Sequence, residues 1–186
     1  MSQAFAQDTV LADTRRWLER AVIGLNLCPF AKAVYVKDQV RFVACEATDR
    51  AGVLDALRAE LDLLTAADPA QVDTTLLVLP AGFGDFIEFN GLTADADRLV
   101  RRMKLEGVIQ VASFHPRFQF AGTQPGDVTN CTNRSPHPTL HLLREASIDR
   151  AVAAFPDASD IYEANMATLR RLGAQGWDAL DVGSKA

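Results

Sequence analysis

The sequence predicts one α/β domain: a small, mostly parallel or mixed sheet with helices packed on it, followed by a helical C-terminal part. Two observations lead to this fold class. Short buried-strand patterns alternate with amphipathic helical patterns, an order that favours a layered sheet with right-handed crossovers. The 186 residues are 48% apolar and 23% charged, values typical of a globular chain of one domain. We therefore expect a single globular domain over residues 1–186, with a peripheral tail over residues 174–186.

Each element of the N-terminal half has its own local signal. Helices are predicted where apolar residues recur every three or four positions behind a capping residue. Buried strands are predicted where β-branched and apolar residues run without interruption. The predicted elements are a helix from Asp8 to Gly24, a loop at residues 25–30, an antiparallel edge strand at 34–36, a strand at 40–45, a helix capped by Thr48 or Asp49, and a strand at 74–79.

The C-terminal half follows the same rules up to a long irregular segment. A helix start is indicated where Ser135 precedes Pro136, because the first helical position leaves its N–H unpaired and proline has none. The predicted elements are a loop at 80–85, a short helix at 86–89, a helix capped by Thr93 and closed by Gly107, a strand at 108–114, a loop at 115–134, a helix from Ser135, a turn from Ser147 to Phe155, and a helix from Ser159 to Leu172 ended by Gly173.

Charge and composition exclude several classes of protein. The net charge is −5 and the pI about 5.2, so a nucleic-acid-binding face is not expected. The longest apolar run, residues 76–83, is far shorter than the roughly 20 residues of a membrane-spanning helix. Residues 1–10 lack the basic and apolar segments of a secretory signal. The three cysteines give no disulfide framework, which indicates a reducing cytoplasm.

The chemistry-bearing residues concentrate after the third strand. All three histidines and three arginines lie in residues 115–145, against only two acidic residues, so this segment is locally basic in an acidic protein. Such a patch suits a small anion better than a polymer. Loops longer than about 12–15 residues are mostly functional, and loops that follow strands at the carboxyl edge of an α/β sheet commonly bind ligands.

Two periodicities predict how these side chains meet. If the chain stays extended past the third strand, His115, Arg117 and Gln119 share one face. In a helix from Ser135, His137 and His141 form one stripe together with Arg144. We therefore expect the imidazoles and guanidinium groups to converge on a single pocket.

The resulting hypothesis is a cytoplasmic enzyme, a hydrolase or group transferase, acting on a small metabolite that carries phosphate or carboxylate. His115 or His141 would be the general acid or base because an imidazole titrates near neutral pH, with Glu145 or Asp127 orienting it. Substrate would be held by charged and neutral donors. The predicted substrate-binding residues are Arg117, Arg134, Arg144, Asn26, Asn130 and Asn133.

Other interpretations stay open. The long loop can be the recognition surface of a non-catalytic module that binds a ligand or a partner protein. His115, His137 and His141 can hold a metal ion. Cys28 can be a redox thiol or a buried structural one. The residue patterns leave the cofactor and the oligomeric state undetermined.

Three strings of the sequence resemble the bacterial family labelled domain of unknown function 1415. They are residues 24–31, residues 111–116, and residues 133–136 continued by 140–147. The resemblance runs from about Thr14 to Gly173 and implies no established activity or catalytic residue. The family pattern often has tyrosine at the position of His137, which favours His115 and His141 over a two-histidine metal site.

Overall fold

Four strands and six α-helices make up the computed structural model, which describes residues 2–154 and 160–183. The strands are β1 (Val40–Ala44), β2 (Thr74–Val78), β3 (Ile109–Phe114) and β4 (Thr139–Arg144). The helices are α1 (Ser2–Trp17), α2 (Ala31–Val36), α3 (Arg50–Ala66), α4 (Phe86–Arg102), α5 (Glu145–Ala154) and α6 (Ile161–Ala179). A π-helical turn (Leu18–Ile23) extends α1, and a 3₁₀ helix (Val128–Asn133) precedes β4.

The strands form one mixed sheet in the order β1-β2-β4-β3. β1 and β2 are parallel, and β4 lies antiparallel between β2 and β3. The three strands expected from the sequence therefore all run in one direction, as predicted, with a fourth strand inserted between two of them. Thr139 at the start of β4 pairs with both Val78 and Phe114. The carboxyl ends of β2 and β3 consequently lie at the same edge of the sheet.

Two apolar cores, one on each face, hold the layers together. On the first face α3 and α4 bury leucines and Phe89 against β2 and β4. On the second face α1, the 3₁₀ helix and α6 pack around Trp17 and Trp177. Both tryptophans and Phe89 are at most 2% exposed. Since large side chains contribute most of the buried apolar area, these residues fix how the helices sit on the sheet. The predicted α/β fold class is confirmed.

Aspartates cap the two helices that follow the parallel strands. Asp49 accepts a hydrogen bond from the Gly52 amide at 2.9 Å, as the sequence predicts. Asp85 caps α4, which is one uninterrupted helix. The predicted break between a short helix at 86–89 and a second helix from Thr93 is therefore wrong. Gly91 lies inside α4. An interior glycine lowers helix stability by roughly 1 kcal/mol relative to alanine, and packing of the amphipathic face of α4 on the core offsets this cost.

The segment Thr139–Arg144 is a central strand, and the helix predicted from Ser135 is wrong. Leu140 and Leu142 are fully buried on the α3–α4 face, so the chain alternates with the period of a strand. β4 is hydrogen-bonded to β2 along one edge and to β3 along the other. A helix at residues 139–144 would leave the facing edges of β2 and β3 without these hydrogen bonds. Long-range pairing thus overrides a local helical signal.

Smaller differences occur at the two termini. Residues 34–36 belong to helix α2 rather than to an edge strand. The first helix begins at Ser2 and not at Asp8. The predicted boundaries at Phe155 and Ser159 lie outside the described residues. Within residues 2–154 and 160–183, no helix is long and apolar enough to cross a membrane.

Residues 174–183 pack on the core, so the peripheral tail predicted over residues 174–186 is wrong for them; residues 184–186 lie outside the described residues. Gly173 has a φ of 70° and kinks α6, but the helix resumes and continues to Ala179. Trp177 is fully buried and Val182 is 1% exposed. Arg16 and Arg20 also donate hydrogen bonds to the carbonyl oxygens of residues 181 and 180, at 2.8 and 2.9 Å. These two hydrogen bonds hold residues 180 and 181 against the end of the first helix.

Candidate functional site

A cleft of about 450 Å³ opens at the edge of the sheet where β2 and β3 end. It lies between the connection from β2 to α4 and the irregular segment after β3. This is the position where loops of α/β proteins commonly bind ligands. The lining residues are Asp85, Phe86, Ile87, Pro116, Arg117, Gln119, Pro125 and Arg134.

The connection from β2 to α4 turns sharply and then starts the helix. Gly82 has a φ of 105°, and a Cβ there would lie only 3.1 Å from the carbonyl oxygen of Thr48. Only glycine fits this turn without strain. Asp85 then accepts hydrogen bonds from the Ile87 and Glu88 amides at 2.9 and 3.0 Å. The Glu88 amide first, then the Ile87 amide and the Arg117 charge, hold the pKa of Asp85 below its usual range.

Arg117 stands at the mouth of the cleft. Its guanidinium donates to the carbonyl oxygen of Gly84 and lies 3.6 Å from the carboxylate of Asp85. The Arg117 side chain is 63% exposed. An ion pair at this distance and exposure contributes little to stability. The guanidinium is therefore available to another anion in the cleft.

Arg134 forms part of the wall and is only 5% exposed. Its guanidinium donates to the carbonyl oxygens of Phe118 at 3.2 Å and Pro125 at 2.5 Å. Gln119, also on the wall, donates to the Thr123 carbonyl oxygen at 2.6 Å. Arg134 thus shapes the irregular segment while it brings a positive charge to the cleft.

His115 lies behind the cleft and is fully buried. Its Nδ1 accepts a hydrogen bond from the Arg117 amide at 3.0 Å. The proton is therefore assigned to Nε2, which donates to the carbonyl oxygen of Phe83 at 3.0 Å. The ring packs between Phe86 and Phe89, with centroids 5.3 and 5.1 Å away. Burial lowers the pKa of His115, so the neutral ring joins the two loops.

The expected face of His115, Arg117 and Gln119 forms only in part. The chain turns directly after β3, where the Phe118 amide donates to the His115 carbonyl oxygen at 3.0 Å. The turn leaves Arg117 and Gln119 on the cleft and directs the His115 ring inward.

His141 and Arg144 lie on opposite faces of the sheet, so the predicted convergence on one pocket is wrong. His141 Nε2 is 2.8 Å from Thr74 Oγ1, which itself donates to the Leu142 carbonyl oxygen. His141 therefore donates from Nε2, and burial lowers its pKa to about 4. The reason for the divergence is that strand residues three positions apart point in opposite directions.

Arg144 caps the C-terminal end of α3. Its Nη2 lies within hydrogen-bonding reach of the carbonyl oxygens of Leu64, of Ala67 at 2.8 Å and of Val72 at 3.1 Å. Glu145 follows at the start of α5, where its amide donates to the Val108 carbonyl oxygen at 3.0 Å. Both residues stand at the end of β4 opposite the cleft, roughly 20 Å along the strands.

The asparagines of the predicted site stabilise loops. Asn130 is fully buried: its Oδ1 accepts from the Phe120 amide and the Thr123 hydroxyl, and its Nδ2 donates to the Gln124 carbonyl oxygen. Asn133 Nδ2 donates to the Ser113 carbonyl oxygen at 3.3 Å. Asn26 has a φ of 55° in the turn before α2, a conformation that asparagine tolerates.

The charged candidate Asp127 caps the 3₁₀ helix. It accepts hydrogen bonds from the amide and the hydroxyl of Thr129, at 2.9 and 2.7 Å. These contacts hold the pKa of Asp127 below its usual range. Asp127 therefore orients the loop backbone rather than an imidazole.

The three histidines do not form a metal centre. Among the described residues, no group of three or more histidine, cysteine or acidic side chains is placed to hold an ion. His137 lies beside α1, with Nε2 3.7 Å from the carboxylate of Asp13. Burial lowers the pKa of His137. Within the described residues, the three histidines that this interpretation needs are therefore not brought together.

Cys28 has the environment of a structural thiol. It is a free, partly buried cysteine before α2. Burial raises the pKa of the Cys28 thiol, whereas a reactive cysteine needs a lowered one.

The cleft residues that sequence reasoning missed follow β2 or lie in the irregular segment after β3, where Pro116 is one of them. Asp85, Phe86 and Ile87 come from the start of α4, and Pro125 from the turn before the 3₁₀ helix. A signal for the first group was present, since Gly82 and Gly84 precede a capping aspartate directly after a buried parallel strand. In isolation that pattern is typical of an ordinary turn.

Comparisons with known proteins identify one family. The family model described as "Protein of unknown function (DUF1415)" matches residues 9–179. No curated protein and no solved structure matches the chain.

Proposed function

Since the chain belongs to the DUF1415 family, whose description assigns no activity, we propose a function from the geometry alone: the protein binds a small anionic molecule in the cleft at the ends of β2 and β3. The observation that carries this proposal is the exposed guanidinium of Arg117. It stands at the cleft mouth beside the N-terminal end of α4, with Arg134 on the same wall.

The charges around the cleft favour an anion. Two guanidinium groups line it against the single carboxylate of Asp85, although the whole chain has a net charge of −5. Asp85 is held as a helix cap by two amides, so its position is set by α4. A carboxylate or phosphate can then accept hydrogen bonds from Arg117, a donor suited to planar and tetrahedral oxyanions, while the positive charge of Arg134 on the wall adds attraction.

A hydrolase or group transferase is the catalytic form of this proposal. The group in the cleft that can act on a proton is Asp85, whose lowered pKa keeps it ionised at neutral pH. His115 would act as a positioning residue, because both of its ring nitrogens already bond to the loops. His141 and Glu145 stand away from the cleft and would have no part in such a step.

A non-catalytic module that binds a regulatory ligand uses the same contacts. Turnover separates the two forms: a catalyst consumes the bound anion ester, and a binding module returns it unchanged. For either form we propose a cytoplasmic protein, because its three cysteines are free. The pI of about 5.2 supports the absence of nucleic-acid partners.

Calorimetric titration with inorganic phosphate and with acetate at low ionic strength tests the proposal. Wild type should bind at least one of the two, and Arg117→Gln should weaken that binding about tenfold or more. Arg101→Gln is the matched control, because Arg101 is an exposed arginine at the other end of α4. Equal weakening in both variants, or none in either, would contradict a site at Arg117.

A further inference from the structure

Half of the cleft lining is apolar, which a site for a bare anion does not need. Phe86, Ile87, Pro116 and Pro125 line it together with the charged residues. Ile87 is 77% exposed, and no other large apolar side chain in the described part of the chain is more exposed. Its amide serves the cap of α4, but its side chain contributes to neither core. Ile87 and the three other apolar residues line the same cleft, and an apolar patch rimmed by polar residues is typical of a surface that a ligand covers.

The apolar wall is preformed. The Phe86 ring packs on Phe118 at 5.3 Å, and Phe118 packs edge-on against Phe120 at 4.9 Å. Arg134 also fixes the main chain at Phe118 and Pro125 through their carbonyl oxygens. Phe86 and Pro125 are held in place by these contacts, and a rigid wall lowers the entropy lost on binding.

The size of the cleft also exceeds that of a simple oxyanion. The volume of about 450 Å³ lies in the range of sites that hold small organic ligands, roughly 300–1,000 Å³. A phosphate or carboxylate fills a minor part of this space. The remainder lies against Ile87 and the prolines.

We infer that the cleft takes an amphipathic anion, a carboxylate or phosphate carried on a flat apolar group, with the anionic end at Arg117 and the apolar end on the wall formed by Ile87 and Pro116. This inference rests on the proposed function and adds the chemical class of the ligand. It separates the roles of the residues: Arg117 acts on the charged end and Ile87 on the apolar end.

Four probes test the inference by calorimetry or by NMR titration: inorganic phosphate, phenyl phosphate, acetate and phenylacetate. Phenol is added as a probe that has the ring and no anionic group. Wild type should bind each ring-bearing anion about tenfold or more tighter than its small counterpart, since burying part of a ring gives that gain. Phenol should bind more weakly than phenyl phosphate.

Variants assign the two ends. Ile87→Ser should weaken phenyl phosphate about three- to tenfold and leave inorganic phosphate within about twofold. Val36→Ser is the matched control, because Val36 is 72% exposed on α2, outside the cleft, and should change neither. Arg117→Gln should weaken both phosphate probes.

The outcomes separate this inference from the proposed function. Equal affinity for phosphate and phenyl phosphate, or an Ile87→Ser variant that binds both as wild type does, overturns the apolar half and leaves the anion site standing. Phenol that binds as tightly as phenyl phosphate overturns the inference, because the anionic end then adds no affinity, while the phosphate and acetate titrations decide the proposed function separately. Binding of none of the probes overturns both.

Discussion

His115 Nε2 lies 3.0 Å from the carbonyl oxygen of Phe83, and this hydrogen bond joins the two loops that enclose the cleft. The residues are 32 positions apart in sequence. The same ring receives the Arg117 amide on Nδ1, so the imidazole orients the backbone that carries Arg117. A buried histidine with both nitrogens in use stabilises the site rather than acting within it.

His115→Ala should lower the free energy of unfolding by about 2–4 kcal/mol, because it leaves the buried Phe83 carbonyl and the partly buried Arg117 amide unpaired and opens a cavity beside Phe86 and Phe89. Urea denaturation monitored by tryptophan fluorescence measures this. Gln119→Ala is the control, since its side chain makes one hydrogen bond at a partly buried position. A loss below about 1 kcal/mol in His115→Ala would contradict the structural role.

The stability of the fold should decrease as the pH falls from about 6.5 towards 4. His141 has a pKa of about 4 in the folded protein and about 6.5 in the unfolded chain. Between these values the unfolded state binds a proton that the folded state does not, which removes about 3 kcal/mol in total. The pKa values of His115 and His137 are lowered in the same direction.

Urea midpoints at pH 7, 5.5 and 4.5 measure the pH effect, and His141→Gln isolates one contribution. Glutamine keeps a donor for Thr74 and has no titrating group. The free energy of unfolding of the variant should therefore decrease less steeply with falling pH than that of wild type. The difference between the two slopes should correspond to about one bound proton. If the free energies of unfolding of the two proteins decreased in parallel with falling pH, protonation of His141 would not contribute to the loss of stability and the prediction would be wrong.

Local signals were sufficient for the first three strands and for one cap. The runs at 40–45, 74–79 and 108–114 agree with the observed strands to within one residue, because short runs rich in β-branched and apolar residues are a local signal that needs no long-range information. Asp49 was found for the same reason, since its capping bond spans three residues.

Pairing between distant segments explains the main error. Leucines and an apparent Ser-Pro start favour a helix over residues 135–144, but β2 and β3 offer ladders on both sides of Thr139–Arg144. The alternation of Leu140, His141 and Leu142 was the available signal for a strand. Because residues 139–144 form a strand instead of a helix, His141 and Arg144 lie on opposite faces of the sheet. The predicted cluster of histidines and arginines therefore does not form.

The cleft was predictable only on one side. Arg117, Gln119 and Arg134 were found because they follow the third strand. Asp85 and Ile87 were missed because they are distant in sequence from these three residues. The strand order brings the ends of β2 and β3 to one edge of the sheet, and only there do the two sides of the cleft come together.

Arg144 and Arg117 should have opposite mutational profiles. Arg144→Ala removes the donor to the carbonyl oxygens at the end of α3 and should lower the free energy of unfolding by about 2–3 kcal/mol. Because Arg144 stands at the far end of β4, anion affinity should stay at the wild-type value. Arg117→Ala should change stability by less than about 0.5 kcal/mol and abolish anion binding.

Thermal unfolding and phosphate titration on both variants give this comparison, and each variant is the control for the other. Loss of phosphate binding in a folded Arg144→Ala protein would contradict the prediction and indicate that Arg144 takes part in anion binding. Strong destabilisation by Arg117→Ala would mean that Arg117 is structural as well.

Trp177→Ala should destabilise the fold by about 3–5 kcal/mol, because the indole is fully buried among α1, α6 and the 3₁₀ helix. Removal of residues 174–186 should act at least as strongly, since it also deletes Val182 and the carbonyl acceptors of Arg16 and Arg20. Tyr162→Ala is the control, since Tyr162 is on the same helix and 49% exposed. Denaturation curves and the amount of folded protein measure the effect, and a truncated chain as stable as wild type would restore the interpretation of this segment as a peripheral tail.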